Sequence, residues 1–223
     1  MNVYFISGMG ADHRAFSYLT LPKGFCPVHI NWIPPHNKET LRAYALRLAD
    51  QIDRSDPFVL IGLSMGGMMA VEIAKQFPPV CTILISSIPV AAHLPRYYKA
   101  AVKIKANNLV PLSLVKAAVR IKYALTSPPS PARRLIYDML QDGNDQFLKW
   151  AMVAVPEWDN DKVPYPFFQI HGTKDKVLPI HLTHPTHDVP KAGHTLVMSH
   201  PATINAILSE ILSSLPNFRK VPS

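Results

Sequence analysis

Cysteine is nearly missing from this chain: Cys26 and Cys81 are the only two among 223 residues. Two thiols cannot build the disulfide framework on which small secreted scaffolds depend. Each lies in an apolar, strand-like stretch, so both are expected to be buried free thiols, and the expected compartment is the cytoplasm. Long apolar runs are missing as well; none approaches the roughly 20 residues that a membrane-spanning helix requires. No basic leader or cleavage motif precedes the apolar run at residues 2–6, so a signal peptide is not expected. Repeats and low-complexity tracts are absent, and hydrophobic residues at 48% outweigh charged ones at 17%. That balance belongs to a globular domain and not to a disordered chain. The length suits one sizeable core, with room for an insertion.

Acidic residues are lacking in one place in particular. Between residues 91 and 127 there is no Asp or Glu, against seven basic residues: Arg96, Lys99, Lys103, Lys105, Lys116, Arg120 and Lys122. The plainest reading is a solvated helix face. If the charges border a pocket mouth, they would draw in an anionic small-molecule substrate. A third reading is transient contact with an anionic membrane surface. Nucleic acid is not an expected partner, because no recognition motif accompanies the charge. His181, His184 and His187 recur every three residues, but Pro185 breaks any helix that would align them and no Cys or carboxylate completes a ligand set. No metal and no cofactor are expected.

What is present alternates. Residues 2–6, 26–33, 58–61, 80–88 and 167–172 read as strands, with a shorter one near 187–191. Helical spacing occupies 11–19, 40–52, the stretch after Met68, and 201–215. Such alternation predicts an α/β fold: a mostly parallel, doubly wound sheet of about six strands. Residues 91–160 interrupt the rhythm with helical segments at 96–105, 112–125, 131–140 and 146–155. They are expected to form a helical cap inserted in a core made of residues 1–90 and 161–223, with Trp150 and Trp158 anchoring it.

The stretch that carries chemistry is Gly62-Leu63-Ser64-Met65-Gly66, set between a doubly buried strand and a helix. A turn this sharp strains the central residue and leaves no space for side chains two positions either side. It exposes a serine hydroxyl at a strand end, beside helix N–H groups that favour developing negative charge. The competing reading is a glycine-rich loop with an incidental serine. A serine nucleophile needs a base to take its proton and an acid to orient that base. Asp175 follows the strand ending at Gly172, and His194 follows Gly193 ahead of the last helix.

With these three stretches in that order, the chain resembles the α/β-hydrolase fold superfamily, of the serine hydrolase or esterase type. The resemblance implies Ser64 as nucleophile, His194 as general base and Asp175 as its orienter. Residues 86–90, where some members carry the acid, hold no carboxylate. The resemblance also implies an oxyanion hole made by the backbone N–H groups of Met65 and Met9. Family members often have His-Gly before the latter position, and this chain has Ser7-Gly8. Gly8 is expected near the substrate; His13 has two readings, a substrate contact or a histidine on a surface helix; and Met9 and Met65 are expected to shape an apolar acyl pocket. The implied activity is that of a carboxylesterase-like enzyme on an ester, thioester or lactone, through an acyl-serine intermediate. A carbon–carbon bond hydrolase, or a ligand-binding receptor with little turnover, remains the alternative.

Overall fold

The computed structural model describes residues 1–98 and 131–215. Its centre is one sheet of six strands: β1 (Asn2–Ile6), β2 (Cys26–His29), β3 (Phe58–Leu63), β4 (Cys81–Ile85), β5 (Phe167–Gly172) and β6 (His187–Val189). The spatial order is β2-β1-β3-β4-β5-β6 and every neighbouring pair is parallel. The expected doubly wound sheet of about six strands is therefore observed, with all its pairs parallel.

Strand periodicity divides the core. Tyr4, Ile6, Phe58 and Leu60 point to one face, where α1 (Leu41–Leu48) and α2 (Met65–Gln76) pack. Val3, Phe5, Val59, Ile61, Ile83 and Ile170 point to the other, against α5 (Leu196–Ser199) and α6 (Pro201–Ser214). Side chains alternate across a pleated strand, so a strand covered on both faces must be apolar throughout. β3 and β4 are buried at every position. α2 is buried from Met65 through Ala74, which explains its lack of a polar face.

Edges depart from the sequence reading. β2 ends at His29, not at residue 33, because it has a neighbour on one side only and the following residues turn to bond α1 and the 3-10 turn Ala49–Gln51 that follows it. Asn31 donates its amide to Gln51 Oε1 and Ile33 donates to the Tyr44 hydroxyl. On that edge Cys26 is exposed, whereas Cys81 is buried as expected. Burial pushes the Cys81 thiol up to about 12. The helix expected over 11–19 is one 3-10 turn, His13–Phe16, capped by the Asp12 carboxylate.

Two helices of the inserted stretch are described: α3 (Pro131–Asp142) and α4 (Asp145–Ala154). Hydrogen bonds and ion pairs tie them and the segment after them to the rest of the described chain. Arg14 bridges Asp12 and Asp142 at 2.7 and 2.8 Å. Trp150 Nε1 donates to Glu39 O at 2.7 Å, and Trp158 Nε1 donates to Glu72 Oε1 at 2.8 Å. Glu72 is itself a buried carboxylate on α2, held by Lys75 Nζ at 2.6 Å. Both tryptophans thus hydrogen-bond to residues of the first half of the chain. The helix expected at 112–125, most of that at 96–105, and the charges at Lys99, Lys103, Lys105, Lys116, Arg120 and Lys122 lie outside the described residues. Among the described residues, no helix is long and apolar enough to cross a membrane.

Candidate active site

Because all six strands are parallel, their carboxyl ends gather at one edge of the sheet. β2 lies on one side of β1 and β3 on the other, so the chain changes winding direction between β1 and β3. Loops diverge at such a switch point and leave a crevice at the strand ends. Ser64 stands there, immediately after β3.

Its backbone is held in an unusual state, with φ of 53° and ψ of −121°. Steric surroundings permit little else. A methyl group at Gly62 would strike the main chain of Gly66 and Gly67, and one at Gly66 would strike the carbonyls of Ile6 and Ser7. Close approach at Gly66 also brings the loop after β1 against Ser64. From the side, Ser87 Oγ donates to the Ser64 carbonyl at 2.6 Å, and Gln169 Nε2 donates to the Ser87 carbonyl at 2.7 Å. The Ser64 amide extends the β3–β4 ladder by bonding Ile85 O at 3.0 Å.

The two other residues singled out in the sequence arrive from the opposite half of the sheet. Asp175 follows β5 and His194 follows β6, and the two loops are laced together. Lys174 donates to Ala192 O at 2.8 Å, Thr173 to Val189 O at 3.1 Å, and Lys191 to Thr173 Oγ1 at 2.8 Å. Within this frame His194 Nδ1 lies 2.8 Å from Asp175 Oδ2, and His194 Nε2 lies 2.9 Å from Ser64 Oγ. The three residues, 130 positions apart in sequence at the extreme, form one hydrogen-bonded chain.

Electrostatics fit the order of that chain. Burial alone would raise the Asp175 carboxyl, but hydrogen bonds from His171 and His194 and from the Leu178 amide hold it well below the usual carboxylate range. It is ionised, and so accepts from Nδ1–H of His194. That fixes the imidazole tautomer with a bare Nε2 facing the serine hydroxyl. Asp175 Oδ1 accepts from the amides of Val177 and Leu178 at 2.8 and 3.0 Å.

The loop at residues 7–11 is knitted by its own groups. Ser7 Oγ and Trp32 Nε1 both donate to Ala11 O at 2.9 Å, and the Ala11 amide donates to Gly8 O. Ser7 thus ties this loop together through its hydroxyl. Among the described residues, the Met9 amide has no acceptor. The Met65 amide opens the first turn of α2, where N–H groups lack intrahelical partners. A side-chain carbon at Gly8 would stand 3.3 Å from Ser64 Cβ.

A cavity of about 170 Å³ is lined by Ser64 and His194, with Gly8, Met9 and Leu63 on the core side and Ile136, Met139 and Leu140 of α3 opposite. A larger one, about 310 Å³, lies across Gly10 and Ala11 beside Trp32 and Phe147, and neither Ser64 nor His194 reaches it. Two sequence expectations need correction. His13 is exposed and is not among the residues lining the cavity at Ser64; its ring sits near that of His29, 5.9 Å away, on the outer side of the loop. Met65 is a core residue, 2% exposed, and leaves its side chain out of the cavity that Met9 does line. Met139 and Met198 also line that cavity and carry no motif; for Met139 the 136, 139, 140 spacing on α3 is an apolar helical stripe that points to it. His181, His184 and His187 do not converge: His184 meets His93 edge-on, and His187 Nδ1 bonds Thr186 Oγ1.

The model of the alpha/beta hydrolase family matches residues 3–207. The chain belongs to that family. No curated protein matches it in sequence. Solved structures resemble it throughout. An esterase from Exiguobacterium antarcticum superposes with a TM-score of 0.74 at 16% identity, covering 96% of this chain and 92% of that one. A hydrolase from Pseudomonas aeruginosa gives 0.72 at 17% identity, with 96% and 90% covered. A thermophilic esterase from Thermogutta terrifontis, with malate bound, gives 0.69 at 18% identity, with 96% and 89% covered. At these identities the likeness is one of fold.

Proposed function

We propose that this α/β hydrolase is a serine hydrolase acting on a small ester-like substrate, an ester, thioester or lactone. The observation that carries the reading is the position of the His194 imidazole, 2.9 Å from Ser64 Oγ and 2.8 Å from Asp175 Oδ2. In the reaction, Ser64 Oγ attacks the carbonyl carbon while His194 Nε2 takes the hydroxyl proton. Asp175 stabilises the imidazolium that forms. The amides of Met9 and Met65 hold the oxyanion; loss of one such donor typically costs on the order of 100- to 1,000-fold in rate. His194 then gives its proton to the departing group, and water reverses the sequence on the acyl-serine. Several solved structures of this fold are esterases by name, which supports ester bonds as the substrate class.

The small, largely apolar cavity at Ser64 favours a short acyl group. In this reading residues 91–160 form the cap over a core of 1–90 and 161–223, contributing α3 to the cavity wall, and the enzyme works in the cytoplasm without a cofactor.

The test is labelling by a fluorophosphonate together with hydrolysis of an ester series graded in acyl length. Wild type is expected to label and to turn over short esters. Ser64→Ala is expected to lose labelling and at least about 10⁴-fold of the turnover, with its melting temperature unchanged. Equal labelling of wild type and Ser64→Ala sinks the assignment. Labelling without turnover of any ester converts the reading to a binding protein on a hydrolase fold.

A further inference from the structure

Asp175 touches a second imidazole that the reaction above does not use. His171, the penultimate residue of β5, is fully buried on the same sheet face as Phe167 and Gln169. Its Nε2 lies 2.7 Å from Leu178 O and 3.3 Å from Asp175 Oδ2. A carbonyl and an ionised carboxylate only accept hydrogen bonds, so these partners place the ring hydrogen on Nε2. A buried polar ring costs stability unless it bonds; Nε2–H donates to Leu178 O, with Asp175 Oδ2 as a second and longer acceptor, while Nδ1 has no partner among the described residues.

The acid loop is thereby closed twice at one residue. Leu178 gives its amide to Asp175 Oδ1 and its carbonyl to His171 Nε2. Oδ1 is held by two amides of the loop itself, and Oδ2 is shared by two imidazoles. Of those imidazoles, His194 lies on a loop and depends on Asp175 for its own orientation. Without another anchor, the Asp175–His194 pair could swing as a unit away from Ser64. His171 supplies that anchor from β5, a strand paired on both sides.

We infer that His171 is a positioning residue: it fixes Asp175 Oδ2 from the rigid end of β5, so that His194 stays aimed at Ser64. The inference rests on the serine-hydrolase reading above. Lys174 and Lys176 flank Asp175 in the loop, and the phenols of Tyr97 and Tyr98 lie within reach of its charge. Both phenols are pushed up, by burial first and by the Asp175 charge as well, Tyr98 to about 12. Tyr97 also donates its hydroxyl to Val177 O at 2.9 Å, on the outer side of the same loop.

The experiment compares full-length wild type with His171→Leu and His171→Gln. Leucine fills much of the space without a donor, whereas the glutamine amide carries an N–H close to where Nε2–H stands. Three readouts are taken: the rate at which a fluorophosphonate modifies Ser64, the kcat, KM and pH profile on a short nitrophenyl ester, and the melting temperature. His171→Leu is expected to react roughly 10- to 100-fold more slowly, through kcat with KM nearly unchanged, because a misaligned catalytic group is costly in rate. Its acid limb of kcat/KM is expected to move to higher pH, since a carboxylate with one donor fewer favours the protonated form of the imidazole it still holds. His171→Gln is expected to restore most of the rate and return the limb. Should the leucine variant not fold, His171→Asn, whose shorter amide cannot reach Oδ2, takes its place with the same expectation. Wild-type reactivity in the donor-free variant overturns the inference, as does an equal loss in both variants with an unmoved acid limb, which is a packing effect. Failure of wild type itself to label removes the serine-hydrolase reading and this inference together, an outcome distinct from either of those.

Discussion

The two halves of the site are held by different physics. Ser64 is set by main-chain sterics: the carbonyls of Ile6 and Ser7 and the backbone at Gly66 and Gly67 leave a single path for the turn. Asp175 and His194 are set by side-chain and loop hydrogen bonds, laced between the segments after β5 and β6. Hard-sphere contacts admit almost no adjustment, whereas hydrogen bonds weaken by degrees and respond to pH. Perturbation should therefore be close to all-or-none on the elbow side and graded on the acid–base side.

The largest expected effect follows from adding one methyl group at the elbow. Gly66→Ala would drive a carbon into two backbone carbonyls that cannot rotate aside. Overpacking of this kind costs about 3 kcal/mol, or roughly 6–12 °C in melting temperature for a chain of this size. Loss of fluorophosphonate labelling should accompany it. A variant that melts and labels like wild type would show that the elbow is softer than its contacts imply and erase the contrast between the halves.

Next comes a pH-dependent effect on the other half. The folded carboxyl of Asp175 lies well below its ordinary value of 3.8. A depressed carboxylate stabilises the fold fully above the unfolded value, and that contribution is lost as pH falls from there towards the folded value. Asp175→Asn should therefore be less stable than wild type near neutrality, by about 1–3 kcal/mol. The gap should close on acidification below about pH 4. Denaturant titrations of both proteins at several pH values check this; a gap that is constant with pH contradicts it.

The smallest effect sharpens the boundary between the halves. The bond from Ser87 to the Ser64 carbonyl is a side-chain bond on the steric side of the site. Ser87→Ala should cost about 1 kcal/mol, so that Ser64 reacts roughly fivefold more slowly with a fluorophosphonate while KM is unchanged. A loss as large as that expected of Gly66→Ala would mean that the elbow too depends on hydrogen bonds.

The same contrast explains what could be read before any coordinates. The elbow was legible because its cause is local: glycine at 62 and 66, an apolar strand before and a helix after, all within about 20 residues. Asp175 and His194 were legible through their order in the chain, which the family resemblance interprets. His13 misled because sequence proximity to the loop at residues 7–11 says nothing about which side of that loop a ring occupies. His171 sits inside a strand run, and Met139 and Met198 carry no motif that would mark them. Cys26 sits in a run that reads as apolar, yet strand order puts that run at the sheet's edge.

By itself, then, the sequence determined the alternation of strands and helices, the mostly parallel sheet and the glycine-flanked turn that carries Ser64. Each depends on contacts among residues near in the chain, or on a periodicity that any fold must respect. The tertiary structure alone decided that a histidine 130 positions away meets Ser64 Oγ, that Ser87 and Gln169 brace the elbow, and that a second imidazole shares the carboxylate of Asp175. Those contacts arise from strand order, which brings the ends of β3, β4, β5 and β6 to one edge of the sheet. Strand order is settled by packing across the whole core, and no short stretch of residues encodes it.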